Sequence, residues 1–177
     1  MLPEKQFNAI YKEYSDQIWR FCAMRTNDPD LAEDMTQQVF TKAWQSETFA
    51  LPDTSHRAFL YQIARNLLVD HWRKKGKTIS LDAPVGDGEQ TLAEMIEDTI
   101  SKSPEEQAAT KESIRGVANK LRELPDRLQN VLIMRFVNQL SVKETATALG
   151  LTEGNVRQLQ HRALKALRKE LKTTPKK

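Results

Sequence analysis

The chain has 177 residues, 39% hydrophobic and 29% charged, which suffices for one ordinary domain or two small ones. No apolar run of about 18 residues exists to cross a bilayer, and the start, MLPEKQFNAI, lacks the basic-then-apolar order of a secretory signal. The lone cysteine, Cys22, excludes an internal disulfide, and together these features predict a cytoplasmic protein.

The net charge of +3 conceals a segregation. Residues 1–76 are neutral overall, residues 77–110 carry −6 and residues 111–177 carry +9. A basic C-terminal third suits a polyanionic partner, although a merely solubilising surface would have the same charge.

Residues 1–76 read as helices. Phe7, Ile10, Tyr11, Tyr14, Ile18 and Phe21 recur at spacings of three and four, one apolar stripe of an amphipathic helix. Asn27-Asp28-Pro29-Asp30 then starts a second helix, with a capping side chain, proline in the first turn and acids at the positive end of the dipole. Leu31, Met35, Val39, Phe40 and Ala43 should face inward. SETFALPDTSH has turn chemistry and should be a loop. A third helix should run from about Arg57 to Lys75, with Phe59, Leu60, Ile63, Leu67 and Leu68 as its stripe.

Residues 77–110 are broken by Pro84, Gly86, Gly88 and Pro104 and are dominated by acids. They read as a flexible acidic linker with one short helix around Leu92, Met95 and Ile96. These 34 residues extend to at most about 110 Å, whereas a free coil of that length spans roughly 30–35 Å.

Helical pattern returns in residues 111–177. Ile114, Val117, Leu121 and Leu124 form one stripe, ended by Pro125; Leu128, Val131, Leu132, Met134, Arg135 and Phe136 form the next helix. Ser141-Val142-Lys143-Glu144 fits a capping box, with Val142, Ala146 and Leu149 inward. Gly150 can end that helix in the left-handed conformation, and Thr152 caps its successor, which buries Val156, Leu159, Ala163, Leu164, Leu167 and Leu171. A short helix, a tight glycine turn and a longer helix make a helix-turn-helix. The far side of the last helix presents Asn155, Arg157, Gln158, His161, Arg162, Lys165 and Arg168, donors of the kind that read base edges and phosphates in a major groove. The expected fold is therefore all-α: two small helical domains, 1–76 and 111–177, joined by the 77–110 linker.

Enzyme chemistry is not indicated. Asp28, Asp30, Glu33 and Asp34 resemble a metal cluster, but acids in a first helical turn answer the dipole and no calcium-loop spacing follows. His56, His71 and His161 show no HExxH or paired spacing. No nucleophile–base pair, phosphate-cradling glycine loop or cofactor signature is present, and Cys22 reads as a small buried hydrophobe. Tyr61, His71 and Trp72 could stack on unpaired bases, but aromatics at helical spacing are more often core. Arg65, Arg73, Lys74 and Lys75 could meet phosphates or simply answer a helix C-terminus.

Three stretches together resemble the extracytoplasmic-function (ECF) group of bacterial sigma factors over nearly the whole chain. YSDQIWRF with DPDLAEDMTQQVFTKAW is similar to region 2 up to its core-binding helix. AFLYQIARNLLVDHWRKK is similar to the helix that meets the −10 element, and LRELPDRLQNVLIMRF with the helix-turn-helix is similar to region 4. The resemblance implies promoter recognition as a subunit of RNA polymerase, touching the β′ coiled coil and the β-flap, with promoter DNA and an anti-sigma protein as further partners and no membrane insertion. It places Asp34, Gln37, Gln38 and Phe40 in the polymerase-binding helix. Asn66 falls where some members capture a flipped −10 base, beside a loop at about Ser46 to His56. Arg65, Trp72, Arg73 and Lys74 accompany it on the −10 side. Gln158, His161 and Arg162 fall at −35 contact positions, within a face that includes Asn155, Arg157 and Lys165. Leu159-Gln160 and His71-Trp72 depart from the family's usual pairs. The competing readings are a free-standing, dimeric helix-turn-helix regulator and an adaptor without promoter specificity.

Overall fold

A computed structural model describes residues 2–51, 55–75 and 117–172. Among these residues the secondary structure is entirely helical. The expected linker, with its helix at Leu92–Ile96, and the Ile114 position of the next stripe lie outside the described residues.

The N-terminal half is a three-helix unit of α1 (Glu4–Thr26), α2 (Pro29–Gln45) and α3 (His56–Lys74). Two residues make the first corner. Asn27, at φ 54°, stops α1 with its N–H on the Ala23 carbonyl, and the Asp28 carboxylate accepts the Leu31 N–H at 3.0 Å, with Pro29 at the first helical position. Ser55 caps α3 by accepting the Ala58 N–H at 3.4 Å.

Ile18, Phe21 and Cys22 of α1 meet Met35, Val39, Phe40 and Ala43 of α2 and Leu60, Ala64 and Leu68 of α3 in the core. Tyr61 is fully buried there, edge-on to Phe21 at 5.3 Å, so it cannot stack on a base. Tyr11, expected inward, is 41% exposed and touches Phe40 only from the rim, at 4.7 Å. Among its described residues the segment expected as a loop contains one 3₁₀ turn, Thr48–Ala50, that drives Phe49 into the core against Phe7, His56 and Phe59.

The C-terminal half begins, among described residues, with helical residues 117–122, then α4 (Asp126–Leu132), α5 (Val142–Leu149) and α6 (Glu153–Lys172). Val117 faces solvent while Ala118, Leu121 and Leu124 are buried, which shifts the expected stripe by one position. The helix expected through Phe136 changes pitch: Ile133–Val137 is a π turn. The Asn138 N–H reaches back five residues to the Ile133 carbonyl at 2.9 Å. That wider turn rotates the register, burying Ile133 and leaving Phe136 51% exposed. The Arg135 guanidinium donates to the Leu140 carbonyl and steadies the exit.

The capping box is complete. Ser141 Oγ accepts the Glu144 N–H at 3.0 Å, and the Ser141 N–H donates to Glu144 Oε2 at 2.7 Å. Gly150, at φ 65°, closes α5, and Thr152 Oγ1 accepts the Asn155 N–H at 3.2 Å to begin α6. Val156 and Ala163 are buried on α6 and Leu159, Leu164 and Leu167 are half-buried, but Leu171, at the helix end, is 41% exposed rather than inward.

The two halves touch. α3 packs against α5, α1 meets the π turn, and buried side chains of both halves form one continuous apolar cluster.

Gly150→Ala should destabilise the protein by about 1 kcal/mol in urea unfolding, although the added Cβ would meet no atom within 4 Å. The cost is conformational, so Gly150→Asn, which tolerates the left-handed region, should lose less.

Candidate nucleic-acid interface

α6 is held by one face and leaves the other to solvent. Its buried Val156 and Ala163 pack toward α4 and α5, and Asn155, Arg157, Gln158, His161, Arg162, Lys165 and Arg168 are all exposed. Arg157, Gln158, His161 and Arg162 line one shallow depression, so four of the expected readers share a surface. Arg157 also pairs with Glu153 one turn earlier at 3.3 Å, an exposed contact that a phosphate could replace. Gln160 has a different job. Its Oε1 accepts from Arg135 Nε at 3.1 Å, tying α6 to the π turn.

On α3, Asn66 is exposed mid-helix and Trp72, Arg73 and Lys74 are exposed at the C-terminal end, whereas Arg65 is half-buried. Arg65 donates to Asn66 Oδ1 at 2.8 Å and, across the molecule, to the Leu149 carbonyl at 3.1 Å. Arg73 pairs with Asp70 at 2.8 Å. Trp72 is clasped edge-on by His71 at 5.1 Å, and Lys75 approaches its ring face at 6.0 Å. Burial, and then the Lys75 charge, lower the His71 pKa below the ordinary histidine value, so the ring favours its neutral form.

On α2, Asp34, Gln37 and Gln38 stand exposed along one side, with Gln37 bonded to Glu33 at 3.3 Å. Phe40 is on the other side, 3% exposed, and serves the core. The acids Asp28 and Asp30 occupy the N-terminus of α2, where Asp28 is used as a cap. No group of three or more potential metal ligands occurs among the described residues.

The structure adds residues that the sequence reading left out. Arg25, Arg57, Arg122 and Gln129 have no place in any expected site, yet all bond across the two halves or support such bonds. Their only sequence signal was position: Arg25 falls on the buried side of α1, where a charge needs a partner.

Residues 10–78 match the Sigma-70 region 2 family and residues 121–169 match Sigma-70, region 4. The ECF RNA polymerase sigma factor SigW of Bacillus subtilis is 30% identical over 94% of this chain and 89% of its own length. The chain belongs to the ECF group of RNA polymerase sigma factors. BldN of Streptomyces coelicolor, another ECF sigma factor, is 31% identical; the match covers 91% of this chain but 58% of BldN. The fold is shared with two solved chains, each 18% identical. CnrH, solved with the cytosolic domain of CnrY, gives a TM-score of 0.69 over 98% of this sigma factor and 92% of that chain. RpoE of Bartonella quintana, solved with the anti-sigma factor NepR, gives 0.67 over 97% and 99%. No helix among the described residues of the sigma factor is long and apolar enough to cross a membrane.

Nor does any described cysteine or buried tyrosine suit nucleophilic chemistry. Burial alone pushes the Cys22 thiol up to about 12, and burial also raises Tyr61. At pH 8 only roughly one thiol in ten thousand is ionised at such a pKa. Native protein should therefore leave Ellman's reagent unreacted for hours, while protein in 6 M guanidinium should release one equivalent of thiolate within minutes.

Proposed function

We propose that this sigma factor directs transcription initiation by holding core RNA polymerase through α2 while α6 reads the −35 element and the end of α3 engages the −10 element. The observation that carries the reading is the split surface of α6: apolar residues fix it to the body and an uninterrupted row of donors faces outward. A helix so mounted can enter a major groove with Gln158, His161 and Arg162 at base edges. Lys165, Arg168 and Lys169 follow further along, where a helix leaves the groove and only phosphates remain in reach.

Asp34, Gln37 and Gln38 form the polymerase-facing side of α2, aimed at the β′ coiled coil, and the C-terminal half docks at the β-flap. Phe40 supports that side from beneath. Asn66 takes the extruded −10 base by hydrogen bonding, with Arg73 and Lys74 on the adjacent phosphates and Trp72 stacking. Residues 1–76 and 111–177 act as the two promoter-reading domains, with 77–110 bridging them. The protein works in the cytoplasm as a non-catalytic subunit; the chemistry of transcription is the polymerase's. An anti-sigma protein is the partner that would hold it in reserve.

The direct test adds purified protein to core polymerase and sheared genomic DNA and sequences the transcripts. New start sites sharing two upstream elements support the reading, and no new start sites contradict it.

Asp34→Lys combined with Gln37→Ala should weaken core binding at least about tenfold, or 1.4 kcal/mol, with helical circular dichroism unchanged. Titration against labelled core polymerase measures this, and wild-type affinity in the double variant would remove α2 from the interface.

Base and phosphate contacts separate on duplexes selected from a random pool. Arg162→Ala should relax preference at one position by about 1–3 kcal/mol. Lys169→Ala should weaken every sequence alike and reduce the slope of log affinity against log salt by about 0.9. Uniform loss across the panel for Arg162→Ala would make Arg162 a phosphate clamp.

A further inference from the structure

A directional bond tethers the middle of α6. Arg157, Gln158, His161 and Arg162 are exposed, whereas Gln160 among them is half-buried and its Oε1 accepts from Arg135 Nε at 3.1 Å. Another arm of the same guanidinium, Nη1, donates to the carbonyl of buried Leu140, directly before the Ser141 cap of α5. The stem of Arg135 is fixed in turn. It leaves the π turn, whose exit is closed by the Asn138 N–H on the Ile133 carbonyl at 2.9 Å and the Leu140 N–H on the Met134 carbonyl at 2.8 Å, with Gln139 between them at φ 55°. One planar side chain therefore joins the turn, the start of α5 and the middle of α6.

The apolar contacts of α6 do a different job. Buried Val156 and Ala163, with half-buried Leu159, Leu164 and Leu167, hold the helix on the body. Such contacts are non-directional and set rotation about the helix axis only weakly. A hydrogen bond has a narrow range of distance and angle, so it can set that rotation. Gln160 comes two residues after Gln158 and two before Arg162, which puts it roughly 160° around the helix from each. The tether thus acts behind the readers. On a helix about 10–12 Å across, a roll of roughly 10° moves a side-chain tip about 1 Å, enough to spoil a bond to a base edge. A lysine on a flexible stem follows a phosphate through the same shift. Gln160 also belongs to the Leu159-Gln160 pair that departs from the family's usual one, so the tether is a feature of this chain's own sequence.

We infer that Arg135 is a positioning residue, which rests on the −35 role proposed for α6: through Gln160 it fixes the roll of α6 and sets how sharply Gln158, His161 and Arg162 discriminate between bases, without itself touching DNA. Discrimination then depends on a bond on the protein side of α6 as well as on the donors that face the groove.

The test assembles the full chain with core RNA polymerase. Binding is measured to the duplex that wild type enriches from a random pool, to its single-base variants and to an unselected duplex. Gln160→Leu removes the acceptor, keeps a good helix former and leaves the bond from Arg135 to Leu140 in place. It should reduce discrimination against the single-base variants at least about fivefold, the low end of what one base contact supplies. Affinity for the unselected duplex should change less than about twofold, since phosphate contacts carry it. Arg135→Lys keeps the charge, loses the two-armed fork and should do the same. Combining the two changes should add nothing further, because both remove one bond. Gln160→Glu keeps the acceptor and should retain wild-type discrimination. Equal discrimination in wild type and Gln160→Leu overturns the positioning role. So does an equal loss on every duplex, which would make the bond a stabiliser of the fold alone, and so do additive losses in the double variant. Failure of wild type to enrich any sequence is a separate result: it removes the −35 reading of α6, and the positioning role falls with it. If Arg135→Lys lowers the thermal midpoint, Gln160→Leu decides alone, since Gln160 lies outside the buried core.

Discussion

Arg25 keeps a guanidinium in a site where its side chain is 5% exposed, and α1 offers it no carboxylate. A buried charge without partners is among the costliest features a small protein can hold. Here the partners come from α4, more than a hundred residues later: Asp126 and Gln129, with Gln129 in turn donating to the Leu124 carbonyl at 2.6 Å. The placement of α4 against α1 follows from that need. The π turn then carries Asn138 to Arg57, and α5 ends where Arg65 meets its last carbonyl, a cation at the negative end of a helix dipole.

This arrangement divides the sigma factor's charges into two populations. Arginines at the seam are half or fully buried and bonded to carbonyls, amides and a few carboxylates. Arginines and lysines along α6 are exposed and lightly engaged, with Arg157 alone of the expected base-reading residues in a described ion pair. The first population is weakly screened by salt and gives geometry; the second is strongly screened and gives attraction to phosphates. Arg65 belongs to the first by position and to the second by proposed function.

Local chemistry was readable from the sequence. The Asp28 cap with Pro29, the Ser141–Glu144 box, the left-handed Gly150 and the Thr152 cap each depend on residues within four positions of one another, and each is present. The solvent face of α6 was readable for the same reason, because periodicity is a local property. Features set by distant neighbours were not. Tyr61 had the spacing of an exposed aromatic as well as a core one, and only Phe21 across the bundle decides between them. The π turn leaves no signature in LIMRFV, so Phe136 was read as part of a regular helix whose 3.6-residue period the backbone abandons. Gln160 stood as half of an unusual Leu159-Gln160 pair, and its tie to Arg135 explains it only once the π turn is in place. The seam between the halves could not be foreseen: Arg25, on the buried side of α1, calls for a partner without naming it, and Arg57, Arg65 and Arg122 have ordinary readings on their own helices.

Cys22 is the single cysteine and is fully buried, so dyes on two introduced cysteines can be attached without competition. Exposed Val69 on α3 and Lys172 at the end of α6 offer such positions, one in each half. Single-molecule energy transfer between them, recorded with Arg25 in place and then with Arg25→Ala, addresses the central claim that the buried arginines hold the two halves of this sigma factor together. The account predicts one narrow population with Arg25 present and a separate low-transfer population once Arg25 is replaced. The same distribution in both conditions would contradict it.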